Sequence, residues 1–154
     1  MANDGIVSGS VTVLPDEISK AFTLTMTVTP ADTSEKWYYK KTEIQTTSAD
    51  LIAGSFISQT ATDQDTAPAA VSTSDEVKFL FIQNESTADG IMICLDGGTA
   101  AHDLVDGIFI GPSQTLTIRC PNTTVGNLHA ISADIDGTGD AAVTAVVCAL
   151  IHDV

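Results

Sequence analysis

The sequence has few charged side chains, and basic ones are the scarcest. Of its 154 residues, six are Lys or Arg and 20 are Asp or Glu, which gives a formal net charge of −14. Such a chain cannot present a broad basic surface, so we expect no binding to nucleic acid or to an anionic membrane through charge neutralisation. Since only 17% of the residues are charged, the polar surface must come largely from Thr, Ser, Asn, Gln and Gly. That surface suits broad, weakly charged contacts between subunits.

Long apolar runs and secretion signals are absent as well. No stretch reaches the ~18 apolar residues of a membrane span, and residues 1–5 lack the charged and apolar regions of a signal peptide. We therefore expect synthesis in a cytoplasm. The three cysteines, Cys94, Cys120 and Cys148, have no CxxC spacing and lie in apolar, strand-like segments. This predicts buried free thiols and leaves a disulfide between two of them open.

The sequence contains no catalytic motif that specifies a mechanism. There is no Gly-x-Ser-x-Gly and no phosphate-binding glycine loop. The histidines His102, His129 and His152 lack the spacing of paired metal ligands. A triad built in space around His129 stays open, because geometry rather than spacing defines a triad. We predict a non-enzymatic protein with no catalytic residues and no cofactor.

One acidic loop, residues 134–140 (Asp-Ile-Asp-Gly-Thr-Gly-Asp), has the oxygen ligands and glycines that suit Ca²⁺. Counted from Asp134, however, the twelfth position is Ala145, where a calcium loop needs a bidentate Glu. A hairpin turn at Asp136-Gly137 accounts for the same residues. We therefore predict no metal site.

Short β-patterned segments separated by turn residues are the main feature that is present. Strict alternation over residues 21–29 places Phe22 and Leu24 on one face and threonines on the other, which predicts a half-buried strand. An aromatic strand is predicted over 36–46, and a strand or a single helical turn over 51–58. Further strands are predicted at 77–84, 91–95, 108–110, 115–119, 128–131 and 143–151. This series predicts an all-β protein, an antiparallel β-sandwich of jelly-roll or related type with an N-terminal arm or extra strands.

The composition divides the chain into three segments within one structural domain. Residues 1–58 form an N-terminal arm with the first strands, and residues 76–154 form the core of the sandwich. Between them, residues 59–75 are polar and read as a linker or an extended loop. Residues 1–20 and 59–75 are candidates for arms that cross to neighbouring subunits.

Trp37-Tyr38-Tyr39 is the only aromatic cluster. Alternate residues of a strand share a face, so Trp37 and Tyr39 lie together. We interpret them, with Phe22 and Pro68, as candidate subunit contacts, since Trp and Tyr commonly anchor interfaces. A stacking platform for sugars or bases remains the alternative.

Four segments carry a resemblance to a known class of protein: 79–84 (FLFIQN), 93–98 (ICLDGG), 110–114 (IGPSQ) and 128–132 (LHAIS). A strand ends in an Asn-containing turn, a short strand precedes Asp-Gly-Gly, and a Gly-Pro turn precedes the next strand. Over about 77–151 this resembles the small virion structural proteins of tailed bacteriophages.

The resemblance implies a non-enzymatic virion protein made in the host cytoplasm. We expect a capsid decoration, or cement, protein that stabilises a phage head. It would bind the major capsid protein and copies of itself, as a homotrimer. A neck or tail-tube protein with an acidic lumen is one alternative. A receptor- or carbohydrate-binding module using the aromatic cluster is another, and a small β-sandwich hydrolase is a third.

Overall fold

The computed structural model describes residues 4–13, 20–57, 69–103, 107–133 and 141–154, and these are mostly β-strand. The predicted all-β fold is confirmed. A short 3₁₀ turn, Val125–Asn127, is the one helical element of the described residues. The strands are β1 Gly5–Val13, β2 Lys20–Val28, β3 Glu35–Ile44, β4 Ala49–Asp50, β5 Glu76–Asn84, β6 Ile91–Cys94, β7 Ile108–Ile110, β8 Thr115–Thr124, β9 His129–Ser132 and β10 Val143–His152.

The chain divides into two compact units, residues 1–33 and 34–154. In the first unit, β1 and β2 form an antiparallel hairpin whose register runs without a shift from Gly5↔Val28 to Val13↔Lys20. In the second unit, the other eight strands form two four-stranded sheets, so β3 and β4 belong to the sandwich.

The two sheets of the second unit have the order of a jelly roll. The first is β3-β10-β5-β8 and the second is β4-β9-β6-β7. Numbered one to eight along this unit, the strands are ordered 1-8-3-6 and 2-7-4-5, which is the arrangement of two interlocked Greek keys. All the pairings between these strands are antiparallel. The predicted jelly-roll sandwich is therefore confirmed.

The core lies between the inner faces of these sheets and follows the two-residue period of the strands. In β10, Val143, Ala145, Val147 and Ala149 are buried, whereas the residues between them are partly exposed. Large side chains such as Ile82 and Ile93 are fully buried in the same cluster. Burying each such aliphatic side chain contributes roughly 1.5–3 kcal/mol, so this alternation fixes the register of the sheets.

The outer face of the β3-β10-β5-β8 sheet carries aromatic side chains. Tyr39 lies opposite Cys148, which lies opposite Phe81 on the next strand. In the adjacent row, Trp37 packs edge to face on Phe79, with the ring centroids 6.1 Å apart and the planes at 78°. We call Trp37, Tyr39, Phe79 and Phe81 the outer aromatic patch. Phe79 is buried, whereas Tyr39 is 55% exposed.

The prediction of a strand or helical turn over 51–58 is wrong for the part that is described. Residues 51–57 contain only a single bridge residue, Ser55, which pairs with Ala70. Leu51, Ile52 and Phe56 are all buried although the segment forms neither a strand nor a helix. Gly54 has φ +112°, a conformation that interrupts either element.

A buried asparagine joins two loops at one end of the sandwich. Asn84, at the end of β5, is 1% exposed. Its Nδ2 donates to the carbonyl oxygens of Asp89, at 2.9 Å, and Gly111, at 3.1 Å. Its Oδ1 accepts from the backbone N–H of Ser86 at 2.9 Å. One side chain thus fixes the turn after β5 and the turn after β7.

Asn84→Asp should lower the free energy of unfolding by about 3 kcal/mol at pH 7, because an ionised carboxylate would then face carbonyl oxygens without a proton to share. Those oxygens would raise the pKa of the new carboxyl above its unfolded value. The difference in unfolding free energy between this variant and the unchanged protein should therefore be smallest near pH 3 and grow as the pH rises. Urea unfolding at both pH values measures it.

The matched control is Gln83→Glu, the same chemical change at the exposed neighbouring position of β5. It should change stability by less than about 0.5 kcal/mol. Equal effects of the two substitutions would show that Asn84 does not hold the loops.

Candidate functional site

Three chemically active side chains meet on the smaller sheet, β4-β9-β6-β7. His129 on β9 lies opposite Asp50 on β4 and opposite Cys94 on β6. Directly paired residues share a face, so the three form a row across the sheet. His129 Nε2 is 3.2 Å from Asp50 Oδ1, and His129 Nδ1 is 3.9 Å from Cys94 Sγ.

The carbonyl oxygen of Gly98 is the common partner of two of these side chains. Cys94 Sγ donates to it at 2.9 Å, and His129 Nδ1 lies 2.7 Å from it. The Asp96-Gly97-Gly98 turn aims this carbonyl. Gly97 has φ +84°, and a Cβ there would lie 2.8 Å from Asn127 Oδ1, so the turn requires glycine. The N–H of Gly98 donates to Asp96 Oδ1 at 2.9 Å.

An open pocket of about 230 Å³ lies beside this row. Ligand pockets usually enclose about 300–1,000 Å³, so this one suits a small polar group rather than a large substrate. Its lining residues are Ser48, Ala49, Asp50, Gly97, Gly98, Thr99 and His129.

The order Cys94–His129–Asp50 resembles a nucleophilic triad, but the hydrogen bonds oppose that chemistry. A base must present a lone pair to the thiol proton. Here the nitrogen nearest the sulfur, Nδ1, is directed at a carbonyl oxygen, which can only accept, so this nitrogen carries the proton. The Cys94 thiol donates its hydrogen bond to the same carbonyl oxygen. Cys94 is 3% exposed, and burial raises the pKa of its thiol. The row therefore holds the turn in place and leaves the thiol protonated at neutral pH.

The sequence predicted neither Cys94 nor Asp50 as a partner of His129. These residues are 35 and 79 positions from it, and only the strand register brings them together. The sole local signal is Asp96-Gly97-Gly98, a tight turn directly after a predicted strand.

The other candidate ligands do not cluster in the part of the chain that the structure describes. Within that part, no three His, Cys, Asp or Glu side chains form a group suited to a metal ion. His102 is exposed in a loop, and His152 lies at the end of β10, paired with Glu35 and Glu76. The acidic loop 134–140 lies outside the described residues. No helix in the described residues is long and apolar enough to cross a membrane.

The predicted subunit-contact residues fall in different places. Trp37 and Tyr39 share the outer face of β3, as expected, but only Tyr39 is largely exposed. Phe22 lies on the hairpin and is 50% exposed. Pro68 lies outside the described residues, as does most of the linker 59–75. All three cysteines are free; Cys94 and Cys120 are buried, and Cys148 is partly exposed.

Comparison with known proteins gives no relative for this chain. No protein-family model matches it, and neither a curated protein sequence nor a solved structure matches it.

Iodoacetamide should label Cys94 at least ~10-fold more slowly in the native protein at pH 7.5 than in urea, because the thiol is buried and protonated and the thiolate is the nucleophile. Peptide mass spectrometry gives the rate at each cysteine. Cys148, which is partly exposed, serves as the internal comparison and should react faster than Cys94.

The opposite order would contradict this assignment. If Cys94 reacts fastest in the native protein, and His129→Ala slows that reaction, the row would be an activated nucleophile.

Proposed function

We propose that the protein is a non-enzymatic virion structural protein, and specifically a capsid decoration protein that stabilises a phage head. The observation that carries the proposal is the exposure of large apolar side chains, both on the β1–β2 hairpin and on a sandwich whose Cys–His–Asp row is arranged against nucleophilic chemistry. Phe22, Leu24 and Tyr39 are each at least 50% exposed. Neighbouring exposed apolar side chains, as Phe22 and Leu24 are on one face of the hairpin, are typical of protein contact surfaces.

The fold is compatible with this role without determining it. Jelly rolls occur in viral capsid proteins, and also in lectins and cupins. A fold is therefore weaker evidence of function than a surface is. The additional support is the resemblance of residues 77–151 to small phage virion proteins.

The chemistry of attachment would be apolar rather than ionic. At a net charge of −14, copies repel one another and stay soluble at high concentration. Tyr39 lies in a row with Cys148 and Phe81 on the outer sheet face. None of these three residues is acidic, so a contact made there would not remove water from a carboxylate. A rigid sandwich bound in this way, as a homotrimer, would bridge neighbouring capsid subunits. The added interface would then oppose the outward pressure of the packaged DNA.

A carbohydrate-binding module is the second candidate, and one observation favours it. The ring of Tyr39 is exposed on a sheet face of a jelly roll, the fold that many lectins use. Trp37 supports this less well than the sequence predicted, since it packs against Phe79.

Tyr39→Ser should weaken binding to emptied heads of the phage that carries this gene by about 10-fold or more, because an exposed aromatic anchor is lost. Tyr39→Phe keeps the ring and should bind within about two-fold of the unchanged protein. Co-sedimentation of the purified chain with the heads measures both. The melting temperature should be equal in the two variants, since the side chain is mostly exposed.

The native mass of the same preparation separates the alternatives. A trimer that binds heads stoichiometrically supports the decoration role. Rings or tubes without head binding would support a neck or tail protein instead. Glycan-array binding that Tyr39→Ser removes, with no head binding, would support the carbohydrate-binding module.

A further inference from the structure

The β1–β2 hairpin has one apolar face that its own unit leaves exposed. The residues on it are Val7 and Val11 from β1 and Phe22, Leu24 and Met26 from β2, since directly paired residues share a face. We call these five residues the hairpin face. Val11 is 62% exposed, Phe22 50% and Leu24 52%. The strict alternation of β2 predicts a half-buried strand, and this prediction is wrong for Phe22 and Leu24 in the isolated chain.

The hairpin face has a ridge on one strand and a groove on the other. Phe22, Leu24 and Met26 form the ridge along β2. Along β1 the side chains at the paired positions are shorter, Val7 and Val11, with Gly9 directly opposite Leu24. A Cβ built at Gly9 would have no atom within 4 Å. The groove is therefore open at its centre.

We propose that the hairpin face packs against the same face of a second copy of this chain. A two-fold axis parallel to the strands would place the β2 ridge of each copy over the β1 groove of the other. A surface with one ridge and one groove is complementary to itself under this rotation. The contact would cover the side chains that the alternation of β2 predicts to be buried.

Charge also favours a second copy as the occupant. The two strands contain a single charged residue, Lys20, which lies at one end of the hairpin face with its ammonium 5.6 Å from the centroid of the Phe22 ring. In a chain with a net charge of −14, most contacts between copies would bring acidic groups together. The hairpin is a long surface on which two copies can meet without that repulsion. A lipid bilayer fits less well, because anionic headgroups attract basic segments.

The size of the hairpin predicts a weak contact. Nine residues per strand at about 3.4 Å each give a ribbon about 30 Å long and roughly 10 Å wide. Packing two such faces buries on the order of 600 Å², below the size of a stable isolated interface. We therefore expect association that depends strongly on concentration, or one that is strengthened where other contacts already hold the copies together. This inference stands on the hairpin and does not require the virion assignment.

Sedimentation equilibrium of the full chain over a wide concentration series tests the contact. The mass should rise with concentration. Gly9→Leu should weaken the hairpin-dependent step at least ~10-fold, because the new side chain fills the groove that receives the ridge of the partner copy. The free chain has space for it. Non-specific apolar association would instead become stronger with the added leucine.

The matched control is Ser10→Leu, which adds the same side chain one residue away on the opposite face of β1. It should leave the association within about two-fold of the unchanged protein. Phe22→Ser, which shortens the ridge, should weaken association as Gly9→Leu does. Far-ultraviolet circular dichroism of each variant confirms that the fold is retained.

Three results would overturn the proposal. The first is a constant mass over the whole series, and the second is self-association that Gly9→Leu leaves unchanged or strengthens. The third is a loss of self-association with Ser10→Leu as large as the loss with Gly9→Leu. If the mass stays constant while Phe22→Ser reduces head binding, the hairpin face binds a different protein rather than a second copy of this chain. If the unchanged protein associates with itself but does not bind heads, that result would contradict the virion function and leave this proposal standing.

Discussion

The position of β10 is the constraint on which the sandwich depends. This strand lies between β3 and β5 and pairs with both, with ten residue pairs to β3. Its partner in β3 is about 100 residues earlier, so the larger sheet closes only when distant segments meet, a topology that folds slowly. The end of the chain is then fastened by the buried Asp75. Its Oδ1 accepts from the N–H of Val154 at 3.2 Å, and its Oδ2 accepts from that of Ser72 at 2.8 Å.

The buried polar groups of this protein hold loops together. Asp75 accepts a hydrogen bond from the last residue, and Asn84 links two turns. The Gly98 carbonyl is a hydrogen-bond partner of both Cys94 and His129. In the described residues, no buried side-chain nitrogen or oxygen lacks a hydrogen-bond partner. Functional sites often retain an unsatisfied or strained polar group. Here Cys94 and His129 already share the Gly98 carbonyl as a partner, so their hydrogen bonds serve to hold the turn.

The sequence predicted most strands, because alternation between buried and exposed residues is a local signal. The jelly-roll class followed from the number and spacing of strands. The irregular segment holding Leu51 and Phe56 was missed, since its burial depends on loops that no period describes. The row of Asp50, Cys94 and His129 was missed because it depends on the register between strands. Burial of Phe22 was predicted from alternation, but Phe22 is 50% exposed, since alternation marks an apolar face without saying whether anything covers it.

The edges of the strands are protected differently in the sandwich and in the hairpin. Unpaired edges invite pairing with other chains, and proteins usually shorten or interrupt them. In the sandwich, β4 has two residues and β7 has three. At the other sheet, β8 contains Pro121, and Ile57 donates to the carbonyl of Trp37 on β3 at 3.0 Å. Within the described residues, the hairpin shows none of these protections over nine paired positions. Edge protection is thus found in the sandwich, and the contact that we propose between copies would use the hairpin, whose two strands carry only one charged residue.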